Sequence, residues 1–324
     1  MNISRRALAA RLLVSNRYLD EAASRVTVGD AYILLSLHRR RGETPRQIFV
    51  PDAATAFLVK KFHEWITSVG PRPPDHVYGF VRGRSPLENA RQHLAKQAVL
   101  RIDLRDFFPS ISAQKVREAL LSVGLDASAA EVATRILTVN DQLPTGFASS
   151  PALSNLVFRD SDIAISSWAK DHGLTFTRYV DDLVFSGEIG TEAVSAAVAM
   201  VEKTGWRVNT DKTRLMKRGG KQYVTGLAVS DPVRPRIPPS RKRSMRMKLH
   251  LIERFGYERY MREFQGEERG DTPGHLRGTA RYMAGIEQPF GSNLLARLNA
   301  VLPEYWSMED RSDPDWLEWL GDFH

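Results

Sequence analysis

The sequence contains no cysteine, which excludes disulfides, thiol chemistry and zinc sites built on sulfur ligands. It has no run approaching the roughly 18 apolar residues of a membrane-crossing helix. Its opening, MNISRRALAARLLVSNRYLDEA, is broken by Arg11, Arg17, Asp20 and Glu21 where a signal peptide is apolar. A reducing, cytoplasmic setting without a membrane partner is the expectation. No repeat or low-complexity tract is present. Acid is scarce between Arg234 and Arg254, where eight basic side chains stand against one, Glu253. A field of one sign concentrates polyanions, and release of the counterions condensed on a phosphate backbone favours binding further. Nucleic acid is therefore the expected partner of that segment.

What is present suits a folded chain. There are 324 residues, 42% hydrophobic and 26% charged, and 46 lysines and arginines against 38 acids give a net charge of +8. That length supports a full core, with one large domain and a smaller neighbour.

The apolar spacing predicts a helical opening, Leu8 and Leu12 being four apart, continued by an apolar stripe over Tyr32–Leu37. A short strand is expected over Ile48–Val50, then a helix over Ala53–Ile66 that the prolines at 71, 73 and 74 forbid from continuing. Residues Ala98 to Leu104 form a strand covered on both faces. Ser112 caps a helix over 113–122, and Ser128 to Glu131 reads as a capping box for the next. A helix follows over Ala152–Ala169, then two short strands, Leu174–Val180 and Leu183–Ser186, meeting at Asp181 and Asp182. After a helix over Thr191–Thr204 comes a strand at WRVN. Strand, helices, two adjacent strands, helix, strand is the split beta-alpha-beta order of a four-stranded antiparallel sheet. Helices are expected over 240–265 and 272–287. The final stretch, 304–324, is acidic and carries Trp306, Trp316 and Trp319.

Three carboxylates stand out. Phosphoryl transfer to a hydroxyl is served by two magnesium ions about 3.5 to 4 Å apart, and magnesium takes hard oxygen ligands held on rigid elements. Asp103 ends an apolar strand, and Asp181 and Asp182 occupy the tip of TRYVDDLVFSG, whose flanks are apolar as a buried hairpin requires. Carboxylates in such a setting are costly unless paired or coordinated. Neighbouring side chains on a strand point to opposite faces, so Asp181 and Asp182 are not equivalent. Asp182 takes a secondary role, as an outer ligand or orienter.

Six segments together resemble bacterial reverse transcriptases of the retron type. They are NARQH at 89–93, IDLRDFFPSI at 102–111, LPTGFASSPALSNL at 143–156, RYVDDLVFSG at 178–187, GWRVNTDKT at 205–213 and VTGLAVS at 224–230. The resemblance implies an α+β right-hand polymerase with an antiparallel-sheet palm, fingers and a helical thumb. The expected divisions are N-terminal helices and fingers over 1–97, palm with interleaved fingers elements over 98–237, thumb over 238–303 and the acidic segment 304–324. It further implies that Asp103, Asp181 and Asp182 bind two Mg2+ ions and that Phe108 is the steric gate beneath the sugar of the incoming nucleotide. Lys212, read as lying in a loop, resembles the lysine beside the leaving pyrophosphate. Arg46 resembles the fingers arginine that clamps triphosphate oxygens.

Ser149, Ser150 and Pro151 fall where the family shapes the floor under template and incoming base. Asn89 and His93, four apart, resemble the retron NAxxH segment, contacting RNA or bracing the fingers. Val224, Thr225 and Gly226 resemble the triplet associated with recognition of the cognate RNA. Two departures are visible: Thr145 stands before Gly146 where relatives carry glutamine, and Val180 stands in the YxDD box where alanine is common. Neither touches a metal ligand.

Arg241, Lys242, Arg246 and Lys248 are expected to supply phosphate contacts from a thumb helix whose apolar side is docked. The resemblance implies a small structured noncoding RNA as primer and template, deoxynucleoside triphosphates as substrates, a branched RNA-DNA product and a role in defence against phage. Template removal and any killing activity would fall to a cellular RNase H and a separate effector protein. Two rivals are a non-retron prokaryotic reverse transcriptase and a catalytically silent RNA-binding palm protein.

Overall fold

The computed structural model describes residues 3–37, 45–264 and 270–303. In chain order the elements are α1 (Arg5–Leu12), α2 (Asn16–Val28), β1 (Tyr32–Leu37), β2 (Arg46–Pro51), α3 (Ala53–Val69), α4 (Pro86–Arg91), β3 (Ala98–Leu104), α5 (Ala113–Ser122), α6 (Ala127–Leu137) and α7 (Ser150–Asp171). Then come β4 (Thr175–Tyr179), β5 (Asp182–Gly187), α8 (Thr191–Lys203), β6 (Val208–Lys217), β7 (Tyr223–Val224), β8 (Leu227–Ala228), α9 (Pro239–Phe255), α10 (Tyr257–Glu263), α11 (Pro273–Ile286) and α12 (Gln288–Val301). Helices and a largely separate antiparallel hairpin-based sheet make this an α+β chain.

Two compact units share the chain, one drawn from Met1–Ser85 and Leu100–Leu215, the other from Pro86–Val99 and Met216–His324. In the first unit the four-stranded sheet has the order β4-β5-β3-β6. Numbered within the sheet that is 2-3-1-4, the split beta-alpha-beta arrangement expected from the element order. β4 and β5 are antiparallel, with Tyr179 opposite Asp182. α7 packs on β4 and on α5 and α8. Under the end of β3, Phe107, Phe158 and Trp206 form a ring cluster with centroids 4.6 to 5.7 Å apart. Such aromatic contacts fix ring orientation beyond simple burial.

Local chemistry explains most boundaries. Ser112 accepts from Lys115 N–H and starts α5 where expected. α6 starts earlier than the capping-box reading: Asp126 Oδ1 accepts from Ala129 N–H at 2.7 Å, so the residues at 128–131 already lie inside the helix. The helical stripe expected over Tyr32–Leu37 is instead strand β1. Gly29, at φ +88°, ends α2 with its N–H on Arg25 and Val26 carbonyls. The chain then restarts and pairs with β2, from Tyr32 opposite Pro51 to Leu37 opposite Arg46. Partner pairing settles what the six residues alone left ambiguous between helix and strand. β6 reaches Lys217, well beyond the strand expected at WRVN.

In the second unit α4 contacts β7 and β8, and α9, α10, α11 and α12 pack together. The helix expected over 240–265 is divided at Gly256, φ +81°. α12 was not foreseen in the sequence. It lies so close to α11 that a Cβ on Gly291 would sit 2.0 Å from the Ala284 nitrogen.

Candidate functional site

Asp103 is the penultimate residue of β3 and is buried. β6, its neighbour in the sheet, supplies two groups to it: Lys212 Nζ at 3.8 Å and a hydrogen bond from the Asn209 side chain. On the other side the Leu104 N–H donates to the Asp181 carbonyl at 3.0 Å, which sets the hairpin tip against the end of β3. Residues remote in sequence are thus brought together as expected, and Lys212 stands on a strand rather than in the loop the sequence suggested.

The tip is a two-residue turn, Val180 and Asp181, closed by the Tyr179–Asp182 pair. Val180 has φ +60°, the conformation in which two-residue hairpins ordinarily place glycine at the first position. A branched residue held there costs on the order of 1–3 kcal/mol and persists only where its surroundings over-determine it. They do so here. Arg178 is completely buried, grips Asp162 through two hydrogen bonds of 2.7 Å and donates to the Val180 carbonyl at 2.9 Å. It also donates to the Asn155 side-chain oxygen at 3.0 Å, and Asn155 in turn donates to the Gly79 carbonyl at 3.0 Å. Gly79 lies so close that a Cβ there would fall 2.4 Å from the Val180 nitrogen. The signal for Arg178 was present: a charged residue in the middle of an apolar strand demands a buried partner.

Electrostatics separates the three carboxylates. Burial and the nearby Asp181 charge push the Asp103 carboxyl up, against Lys212 and Arg101. Burial pushes Asp182 up to about 7, opposed by Arg101, whose Nε lies 2.8 Å from Asp182 Oδ1. Arg101 precedes Asp103 by two residues and so shares its strand face, the periodicity by which it was legible. Among the described residues no group of three or more acidic or histidine side chains is gathered for a metal. Asp182 is paired with Arg101, while Asp103 and Asp181 stand as mutually repelling oxygen donors. That pair fits a divalent cation, because a bound positive charge relieves the repulsion that raises Asp103.

Phe108 is buried, its ring 5.6 Å from Phe107 and 6.2 Å from Phe80. Gly146, at φ +113°, lies where a Cβ would come 2.4 Å from the Phe49 carbonyl oxygen, and the Thr145 carbonyl accepts from Phe49 N–H at 2.8 Å. Both therefore dock their loop on β2, which Arg46 opens. Ser150 Oγ donates to the Pro144 carbonyl at 2.6 Å, and Ser149 Oγ is buried with no hydrogen-bond partner among the described residues. These serines brace the start of α7, with Pro151 in its first turn.

In the second unit, Asn89 and His93 are fully buried, so the RNA contact expected of them is not offered; bracing is the role burial permits. They do not share a helix, since α4 ends at Arg91 and His93 follows in a tight turn onto the Ala90 carbonyl. The triplet forms the β7–β8 hairpin: Val224 is buried, and Thr225 and Gly226 are its turn at φ +45° and +74°. Positive φ at both positions is the ordinary tight-hairpin geometry, but threonine is a strained choice for it. Thr225 Oγ1 donates to the Pro86 carbonyl at 2.8 Å, and the bare face of Gly226 accommodates the Arg241 guanidinium.

The four residues of α9 expected to contact phosphate divide. Lys242 is paired with Glu287, and Lys248 lies 2.6 Å from buried Asp271. The phosphate role expected of these two is corrected, because their charges already serve internal partners. Arg241 and Arg246 are exposed, with Arg246 over the Phe290 ring at 5.0 Å. The acidic tryptophan-bearing segment 304–324 lies outside the described residues.

A profile of the family described as reverse transcriptase (RNA-dependent DNA polymerase) matches residues 43–244. The chain belongs to the reverse transcriptase family. Among curated reverse transcriptases it is similar to the retron Mx65 enzyme of Myxococcus xanthus, 33% identical over 220 residues, covering 61% of this chain and 51% of that one. The retron Mx162 reverse transcriptase of the same organism is 30% identical over 281 residues, covering 75% and 56%. The retron Se72 reverse transcriptase of Salmonella heidelberg is 26% identical over 312 residues, covering 92% and 79%. The chain spans about half the length of the first two relatives. A telomerase structure from Candida albicans aligns at TM-score 0.45 and 10% identity, over 94% of this chain and 68% of that one. Among the described residues no helix is long and apolar enough to cross a membrane.

Proposed function

We propose that this chain is an RNA-directed DNA polymerase of the retron type. On this reading it copies a cognate structured noncoding RNA into DNA joined to that RNA, as part of an antiphage system with a separate effector and a cellular RNase H. The observation that carries the proposal is the meeting of Asp103 and the Asp181 turn at the end of one sheet, in a chain of the reverse transcriptase family. The similarity to retron enzymes supports the finer assignment. The fingers, palm and thumb divisions at 1–97, 98–237 and 238–303 belong to the same proposal.

In this reading Asp103 and Asp181 hold divalent metal, Mg2+ by the chemistry of its oxygen donors. When bound, the metal activates a sugar hydroxyl and neutralises triphosphate charge. The chain's own residues do the rest. Arg101 fixes the Asp182 carboxyl and opposes the rise that burial imposes on it, orienting the tip from behind. Lys212, held near Asp103, places a cation where charge develops on the leaving group. Phe108 excludes a 2'-hydroxyl by occupying its space, and Arg46 grips phosphate oxygens at the edge of β2.

Primer extension on the cognate RNA with Mg2+ tests this directly. Asp181→Asn is expected to abolish extension while RNA affinity stays within about twofold. Extension preserved in that variant, or no extension by the wild-type chain on any RNA or DNA template, contradicts the proposal.

A further inference from the structure

Phe80 is an exposed aromatic ring on an otherwise locked segment. The backbone just before it is stitched to β4, the edge strand of the sheet: Arg178 N–H donates to the His76 carbonyl and Tyr78 N–H to the Arg178 carbonyl, each at 2.8 Å. Gly79 is pinned by Asn155 and pressed against Val180. Arg84 folds back on the Pro74 and Val77 carbonyls and closes the loop behind. Out of this frame Phe80 emerges at φ +59°, a conformation bulky residues avoid, with 48% of its surface exposed. Neither strain nor exposure stabilises the fold, and a glycine would relieve both.

The ring lies 6.2 Å from Phe108, tilted by 56°. Its backbone neighbour Gly79 abuts the turn that bears Asp181. A rigid, flat, apolar face beside a polymerase centre matches the face of a nucleobase. Stacking is also indifferent to base identity, because every base has a π-face, and a copying enzyme must accept all four.

We propose that Phe80 is a stacking platform for a nucleobase at the polymerase centre, and this rests on the polymerase reading above. The base belongs either to the incoming deoxynucleotide or to the template, and both offer the same surface.

The experiment compares wild type, Phe80→Leu and Phe80→Tyr on the cognate RNA, after thermal unfolding has confirmed that each variant is folded. Two quantities are read: KM and kcat for each deoxynucleoside triphosphate, and quenching of 2-aminopurine placed at the templating position, which needs binding but no chemistry. If the incoming base stacks, Phe80→Leu raises KM for all four nucleotides by roughly 5- to 150-fold, the equivalent of one stacked base. In that case kcat stays within a few-fold, and tyrosine restores KM. If the template base stacks, KM holds, while quenching falls and template affinity weakens by a similar factor. A folded Phe80→Leu that matches wild type in KM, quenching and affinity overturns the platform, as does a fall in kcat alone. A wild-type chain that neither binds nor extends RNA overturns the polymerase reading itself, an outcome visible before any Phe80 variant is compared.

Discussion

Replacing Asp162 by asparagine leaves the Arg178 guanidinium sealed from water with its counter-charge removed. Breaking one side of a fully buried pair costs about 3–5 kcal/mol, so Asp162→Asn is expected to lose stability of that order in urea unfolding. A pair of apolar residues, Arg178→Met with Asp162→Leu, is expected to regain most of that stability without regaining extension. The Val180 carbonyl then has no donor to hold it, and the strained turn under Asp181 relaxes. Recovery of both stability and extension in the double variant would show that the network does not position the tip. At this scale the sequence was legible where chemistry demands a residue type at a strand end, as for Asp103, Asp181 and Asp182. It was silent on partners, because Asp162 and Asn155 sit on a helix whose facing strand is fixed only by the fold. Lys242 and Lys248 were misread for the same reason, since nothing local announces Glu287 or Asp271.

Elements were legible where a cap or a breaker marks them. Ser112 and the prolines after α3 placed their boundaries, whereas β1 was read as helix because its partner strand lies beyond the residues that the spacing argument could weigh. α12 escaped because its reason for existing is a neighbour: Gly291 lets it close on α11. Gly291→Ala forces a Cβ into the Ala284 backbone. Overpacking of this kind costs typically about 1–3 kcal/mol, and the expected result is a lower denaturant midpoint. An unchanged midpoint would mean that the two helices part without penalty. The β4–β5 hairpin, by contrast, was readable from its apolar flanks and acidic tip, although its strained Val180 was seen only as a departure from the common alanine.

Across the whole molecule, the buried His93 ties stability to pH. Burial, with a smaller contribution from Lys96, drives its imidazole down to about 3 in the folded chain, against an ordinary value near 6.5. The folded chain therefore stays neutral at His93 where the unfolded chain takes up a proton. Stability from this residue is whole above about pH 6.5 and declines as the pH falls towards 3, by up to about 1.4 kcal/mol per unit. His93→Gln is expected to flatten that decline between pH 6.5 and 4 in unfolding measured by circular dichroism. An identical pH profile would place the acid sensitivity elsewhere.

The ion pairs of α9 also set how the protein answers to ionic strength. Of its six basic residues, Arg241, Lys242, Arg243, Arg246, Lys248 and Arg254, two are held by Glu287 and Asp271. On the polymerase reading, each lysine so held removes about one phosphate contact, a change near 0.9 in the logarithmic salt slope on duplex nucleic acid. Glu287→Gln frees Lys242, so that variant should bind more tightly in dilute buffer and lose the gain as potassium chloride is added.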